Sequence, residues 1–300
     1  MKLGISYCGI TGHNGADFVA DFLRNAAVAD GVDVTMIGGW GQAQARDIPA
    51  GLDVVIHSSG YELTPELVEK WKRTGAKVFV WSHNDEVPLF RDRLQRITFL
   101  VDRHFSYTRV PYYGSHVEFL PLGADHTIYT PIEPCKKIYD VAMIGAWHTW
   151  RREFAGKLAP HFPKNQFNLT MNLSHHDVNL LYNQTRVVVA PMQHCDQDGD
   201  HGKDAVYGCP CRTFDVPASG AFQLQAFRQG LLDVHSSATL GKVTLPIIRD
   251  VDVSIPLWIA AIQAWLSNES ERLALADAMR QDILREHLYV HRLRKMLAFV

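Results

Sequence analysis

Excess charge is the first thing this chain lacks. Its 300 residues carry 30 Lys and Arg against 32 Asp and Glu, a formal net charge of −2. Such a balance supplies no global field toward nucleic acid or an acidic membrane. Long apolar runs are missing too. The most apolar late stretch, VSIPLWIAAIQAWL, is shorter than a bilayer span and is interrupted by Pro256 and Gln263, so no membrane insertion is expected. The N-terminus, MKLGISYCGITGHNG, has one Lys and a short apolar run broken by Gly4 and Gly9, which reads as a first strand and not a signal peptide. Cysteine is scarce and odd in number: Cys8, Cys135, Cys195, Cys209 and Cys211 do not space as a disulfide scaffold, and a reducing cytoplasm is the expected setting. No G-x-G-x-x-G fingerprint and no Lys-Ser/Thr phosphate loop follows the first strand, which argues against dinucleotide and ATP binding. No short tandem repeat is present.

What is there is an ordinary core: 47 % of residues are hydrophobic and 21 % charged, enough for two domains or one large α/β domain. Short apolar runs alternate with helical patterns. KLGISYC, DVTMIGG, DVVIHSS and AKVFVWSH read as strands, and ADFVADFLRNAAVAD as a helix between the first two. TPELVEKWKRTG is a capped helix, with Thr64 at the N-cap, Pro65 at the first helical position and Gly75 at the end. FRDRLQRI reads as a helix, VDRHFSYT and VEFLPLG as strands. TPIEPCKK (130–137) has two Pro, two Lys and no periodicity, and reads as a linker. The alternation then restarts: YDVAMIGAW, FNLTMNLS and RVVVAPM as strands, TWRREFAGKLAPHF and HDVNLLYNQT as helices. CRTFDVPASGAFQLQAF reads as helix, Gly turn and strand, and the tail from Pro256 as long amphipathic helices. Alternating strands and helices predict parallel βαβ units, and two such halves predict a cleft at the carboxyl ends of their strands.

Several stretches carry a family resemblance. YDVAMIGAWHTWRREF (139–154), CRTFDVPASGAFQL (211–224), ESERLALADAMRQDILREHLYVHRLRKML (269–297) and LPLGADHTIYTP (120–131) occur in the order found in GT-B glycosyltransferases. The second half resembles their nucleotide-sugar domain, most closely the CgeB-like (spore-maturation) branch. The resemblance implies a GT-B type α/β fold, with two Rossmann-like parallel-sheet domains facing a cleft and a C-terminal helix returning to the first. The implied division is an acceptor-side domain at 1–132, a nucleotide-sugar domain at 133–282 and the returning helix at 283–300. It also implies a hexosyltransferase that mostly retains anomeric configuration and requires no metal or other cofactor. The donor would be a UDP-sugar or another NDP-sugar, and the acceptor a hydroxyl of a glycan, a small molecule or modified DNA. Two positions depart from the family pattern: the acid of RTFDVPASG is Asp215 where Glu is usual, and Tyr207 stands where many relatives have a second Glu.

Chemistry follows from the ligand. A ribose diol needs an acid to accept its hydroxyls, and the resemblance points to Asp215; a plain helix-start acid is the alternative. A diphosphate needs donors and positive charge. Arg212 is the matching cation, with Arg151 and Arg152 as helpers or as a solvated helix face. Gly145 and Gly220 admit close backbone approach, although Gly220 serves equally well as a helix C-cap. On the acceptor side, His83 and Asp85 at the end of the fourth strand, and His13 in the first Gly-rich turn, are the candidates for managing the hydroxyl proton. A histidine at a strand end is also often merely hydrogen-bonded. HCDQDGDHGKDAVYGCPC (194–211) has three readings. It is a donor loop in which Lys203 meets phosphate and Asp198 or Asp200 meets sugar; or a metal site built on Asp196, Asp198 and Asp200 or on His194, Cys195, Cys209 and Cys211; or a solvated loop. C-P-C is tighter than the usual zinc spacing, so no metal is expected. Beside the transferase stand two further readings, a non-catalytic sugar-nucleotide or glycan-binding module, favoured by Tyr207, and a metal-dependent hydrolase using 194–211. FRDRLQRITFLVDRHFSYTR is locally basic and interleaved with aromatics, which keeps a hydroxymethylated DNA base among the acceptors.

Overall fold

The computed structural model describes residues 1–7, 15–38, 47–59, 62–83, 88–109, 116–145, 149–168, 173–191, 208–248 and 250–300. The chain divides into two compact units. One comprises Met1–Leu122, Cys195–Cys209 and Tyr289–Val300, the other Gly123–His194 and Pro210–Leu288.

In the first unit, strands β1 (Lys2–Tyr7), β2 (Asp33–Ile37), β3 (Val54–Ser59), β4 (Lys77–Ser82), β5 (Arg103–Ser106) and β6 (Val117–Phe119) form a sheet in the order β2-β1-β3-β4-β5-β6. Every pairing is parallel. Helices α1 (Gly15–Ala29), α2 (Pro65–Lys72) and α3 (Pro88–Ile97) cross between strands. A parallel sheet is covered on both faces, so its strands are buried along their length, polar ends included. That is why β3 is buried at all six positions. Trp71, Val68, Val78, Val80, Leu94 and Ile97 pack without exposure in one core cluster. Each such large side chain contributes about 1.5–3 kcal/mol of burial. Helix α2 starts as its sequence dictates: the Thr64 hydroxyl accepts from the Leu67 N–H at 3.3 Å, Pro65 follows, and Gly75 reverses the chain at φ +91°.

The second unit has β7 (Tyr139–Ile144), β8 (Asn165–Asn168), β9 (Thr185–Ala190), β10 (Gln223–Ala226) and β11 (Thr244–Leu245) in the order β11-β10-β9-β7-β8, again all parallel. Its helices are α4 (Thr149–Leu158), α5 (His175–Gln184), α6 (Arg212–Ala218), α7 (Ser237–Val243), α8 (Val251–Ser267) and α9 (Glu269–Glu286). Val141, Met143, Val187, Leu224, Trp258 and Ile262 are among the residues of its core. Each sheet reverses its strand order once, between β1 and β3 and between β7 and β9, and an open α/β sheet presents its ligand crevice at the carboxyl ends beside such a switch.

One sequence expectation is corrected, and two stretches gain their elements. The strand expected over FNLTMNLS begins earlier, at Asn165, because Val141 and Ile144 of β7 take Asn165 and Asn168 as register partners; residues 169–172 of that stretch lie outside the described residues. The segment after Phe227, which the sequence leaves without an assigned element, forms a 3-10 turn at Gln229–Asp233, then α7 capped by the Ser236 hydroxyl, then β11. The amphipathic tail is three helices, broken at Asn268 and at His287, and its last piece is α10 (Tyr289–Leu297).

Helix α10 packs on α1 within the first unit. Tyr289 stands 5.2 Å from the Phe22 ring and 5.9 Å from Trp81. The Arg292 guanidinium donates to the Leu122 carbonyl from Nε at 3.1 Å and from Nη2 at 3.0 Å. Among the described residues no helix is long and apolar enough to cross a membrane.

Candidate functional site

The chemistry of the second unit collects where β7 ends. The strand runs into Gly145, and a side chain there would have no room. A Cβ would stand 2.7 Å from Arg151 Nη1 and 2.9 Å from Arg212 Nη2. Two guanidiniums therefore lie directly over a bare backbone. Arg151 sits in the first turn of α4 and is only 7 % exposed, and Arg212 opens α6. Burial lowers the Arg212 pKa from its ordinary value, and the Arg228 charge lowers it further, against Tyr182, Cys211 and Asp215. Arg212 Nη1 is buried and makes no hydrogen bond. Two guanidiniums gathered over a bare backbone, with an orphaned donor on Arg212, suit a compact polyanion.

Asp215 lies one turn into α6, 5 % exposed, with Oδ1 buried and unpartnered. Burial and the nearby Asp125 push its carboxyl well above the ordinary range, and Arg212 only partly opposes them. A carboxylate held at such a cost, with one oxygen free, is prepared for hydroxyl donors. Its helix is fixed from outside. Cys211 gives α6 no side-chain cap, but the Ser219 hydroxyl donates to the Asp215 carbonyl at 2.9 Å and to Asn179 Oδ1 at 2.7 Å. Gly220 turns the chain at φ +73°, and a Cβ there would meet Pro131 Cγ at 3.1 Å, so its place is the turn that ends α6.

Beside these residues β10 contributes two glutamines that the sequence reading did not single out. Gln223 and Gln225 are buried on alternate positions of a strand whose other residues are apolar. Gln223 Nε2 donates to the Arg212 carbonyl at 3.1 Å, while Gln223 Oε1 and Gln225 Nε2 find no partner. Trp150 Nε1, in the first turn of α4, is likewise buried and unpartnered. The signal was present as polar residues in a strand of a sheet that ought to be apolar throughout. Tyr182 completes the surroundings, its hydroxyl pKa pushed up by burial and by Asp215.

In the first unit His83 follows β4 and is 5 % exposed. Its ring meets Trp81 at 5.2 Å and Tyr107 at 6.3 Å, both edge-on, and neither ring nitrogen has a hydrogen-bond partner. Burial, helped by the nearby His57, lowers its pKa to about 3, so the imidazole is neutral at physiological pH. Asp85, His13 and Lys203 lie outside the described residues, as does most of the 194–211 stretch. Among the described residues no group of three or more His, Cys, Asp or Glu is placed to hold a metal ion, and Cys209 and Cys211 belong to none.

Comparison with known proteins bears on this geometry. Residues 132–298 match the family model described as glycosyl transferase-like. The chain matches no curated protein sequence. Among solved structures it is similar to an α-glucosyltransferase in complex with UDP and a 13-mer DNA containing an HMU base, at TM-score 0.65 and 12% identity over 100% of this chain and 99% of that one. It is also similar to the trehalose-6-phosphate synthase OtsA, at 0.66 and 9% over 99% and 98%. A third is the lipopolysaccharide outer core galactosyltransferase WaaB, at 0.56 and 10% over 99% of each chain. At such identities the likeness establishes the fold, which is GT-B: two parallel-sheet α/β units, of six and five strands among the described residues.

Proposed function

This chain belongs to the glycosyl transferase-like family, and on that premise we propose that it moves a hexose from a UDP-sugar to a hydroxyl acceptor. The observation that carries the reading is the pair of guanidiniums, Arg151 and Arg212, stacked over Gly145 with Arg212 Nη1 unpartnered. A nucleoside diphosphate supplies an anion for the orphaned Arg212 donor. As the bond from the sugar to the diphosphate breaks, negative charge grows on the departing oxygen, and fixed cations in a dry site stabilise that change without reorganising. Asp215 accepts from the ribose diol. The unpartnered amide atoms of Gln223 and Gln225 and the indole N–H of Trp150 are the remaining groups available to the nucleoside. Lys203 and Gly220 are carried as further donor-side residues.

On the acceptor side we assign the hydroxyl to His83, Asp85 and His13. An imidazole with a pKa of about 3 is too weak a base to hold the proton, so His83 orients the hydroxyl through a hydrogen bond and leaves proton acceptance to a carboxylate or to the departing phosphate. Retention at the anomeric carbon, independence of metal and kinship with the spore-maturation branch complete the reading and rest on the family resemblance, while a cytoplasmic setting rests on the cysteine usage.

The test is binding and turnover together. UDP, GDP and dTDP are titrated calorimetrically, and release of UDP from labelled UDP-glucose is followed with a panel of glycan and small-molecule acceptors. We expect UDP to bind and Arg212→Ala to weaken it by roughly 100-fold or more, the loss of a buried charged pair. Equal affinity in the variant would overturn the assignment. A second acceptor reading, the hydroxyl of a hydroxymethylated base in DNA, is favoured by one observation: a structure similar over its full length is the α-glucosyltransferase that carries UDP and HMU-containing DNA. A hydroxymethylated oligonucleotide in the panel decides between them.

A further inference from the structure

Three strands of the first unit end in a row of buried hydroxyls. Ser59 of β3, Ser82 of β4 and Ser106 of β5 are register partners across the sheet, all under 3 % exposed. Beside this row, in the connection from β3 to α2, stands Glu62. Its side chain is 5 % exposed. Glu62 Oε2 accepts from the Ser59 hydroxyl at 2.7 Å and lies 3.6 Å from His57 Nε2. His57 Nδ1 in turn is 3.1 Å from the Ser6 hydroxyl of β1. Glu62 Oε1 is buried and has no hydrogen-bond partner.

This arrangement is costly. A buried carboxylate with an empty oxygen forfeits the hydration it had in the unfolded chain. Ser59 holds φ at +98°, a region that non-glycine residues seldom occupy and that marks strain kept by its surroundings. Two side chains, Ser59 and His57, are thus fixed to aim one carboxylate, at the carboxyl end of the sheet where open α/β sheets take ligands. The line continues to the acceptor side, because His57 acts electrostatically on His83, whose two ring nitrogens are also unpartnered.

We propose that Glu62 is an acceptor-binding residue, whose free carboxylate oxygen takes a hydrogen bond from a hydroxyl of the incoming acceptor while Ser59, His57 and Ser6 hold it in place. The inference rests on the transferase reading. A hydroxyl is the group that fits: it donates, it is neutral, and besides Glu62 Oε1 the buried atoms without a hydrogen-bond partner are His57 Nε2 and both ring nitrogens of His83. The assignment is independent of anomeric outcome, since Glu62 binds and orients and makes no bond to the sugar.

The experiment compares wild type with Glu62→Gln and Glu62→Leu, using UDP-glucose and whichever of the acceptor panel the wild type glycosylates. Removing a charge-assisted hydrogen bond raises acceptor KM by roughly 10- to 100-fold in the Leu variant and less in the Gln variant. UDP affinity stays at the wild-type value, and wild-type resistance to protease before Leu122 reports that the first unit, which holds Glu62, folds in the variants. Ser59→Ala, which leaves the carboxylate in place but unheld, raises acceptor KM by a smaller factor. Unchanged acceptor KM in Glu62→Leu, at unchanged UDP affinity, overturns the proposal and leaves the transferase reading standing. A wild-type chain that neither binds UDP nor consumes UDP-glucose overturns both.

Discussion

At the scale of single residues, the proposed donor site is a set of groups kept in unfavourable states. Asp215 shows the sign of the trade most directly. Its folded pKa is raised, first by burial and then by Asp125. For an acid raised on folding, the native state binds the extra proton, so stability falls as pH climbs from the ordinary carboxylate range, about 4, toward the raised value. Asp215→Asn removes that penalty. Its melting temperature should exceed that of the wild type on the alkaline side of neutrality, and the difference should shrink as pH is lowered toward the unfolded value. UDP affinity should fall in the same variant by roughly tenfold or more, because an amide oxygen replaces a carboxylate under the ribose diol. In the wild type that affinity should weaken as pH drops through the raised pKa. Parallel thermal melts and UDP titrations across pH check both signs; a variant no more stable than wild type at high pH removes the argument. Gly145 makes the complementary case. Gly145→Ala sets a methyl against Arg151 and Arg212 at under 3 Å, with the backbone at φ +156°. We expect UDP affinity to fall about tenfold and stability by about 1–3 kcal/mol, read by calorimetry and urea unfolding. Wild-type UDP affinity in Gly145→Ala would count against the guanidinium pair as the diphosphate site.

At the scale of elements, the question is what holds α6 and the chain leading to β7 so that these residues stay converged. Two asparagines on α5 do much of it. Asn179 Nδ2 donates to the Thr130 carbonyl at 3.0 Å, and its Oδ1 accepts from Ser219 at 2.7 Å. Asn183 Nδ2 donates to the Thr130 carbonyl at 3.1 Å, and its Oδ1 accepts from the Ile132 N–H at 2.8 Å. One face of a helix thus ties the 130–132 segment to the end of α6. Asn179→Ala should cost about 2–4 kcal/mol, several buried hydrogen bonds lost at once with Ser219 left only its bond to the Asp215 carbonyl, and should weaken UDP through the displaced α6. A urea series with a UDP titration checks it; a loss under ~0.5 kcal/mol would show that water replaces the clamp. None of this was legible in HDVNLLYNQT, which shows a helix but not what its asparagines bind. The helix itself was legible, as was α2, because apolar period and caps are local. The start of β8 and the α7–β11 pair were not. Asn165–Asn168 is a polar strand that exists because β7 supplies a partner, and β11 is two residues long, so pairing across the sheet decides both.

At the scale of the whole molecule, the doubly wound pattern was readable because strands buried on both faces cannot hide their composition. The proposed donor residues come only from motif resemblance: nothing in the spacing of Gly145, Arg151 and Arg212 says that they meet. Least readable was the make-up of the units, since the C-terminal twelve residues group with the N-terminal sheet while the helix just before them belongs to the other unit. That grouping has a consequence. Tyr289, Leu293 and Met296 are each at most 1 % exposed, and together their burial contributes about 5–9 kcal/mol to the first unit. Removing residues 289–300 strips this face from α1 and leaves the Leu122 carbonyl without the Arg292 guanidinium. The loss is comparable to the whole stability of an ordinary domain, so the first unit should unfold. The second unit keeps Gly145, Arg151, Arg212 and Asp215 along with its own core cluster. The truncated chain should therefore still bind UDP within roughly tenfold of the full chain while losing transfer to any acceptor, and protease should cut it preferentially before Leu122. A truncation that keeps full turnover would mean that α10 is dispensable to the sheet it covers. One that loses UDP binding along with turnover would mean that the second unit does not hold the nucleotide on its own residues.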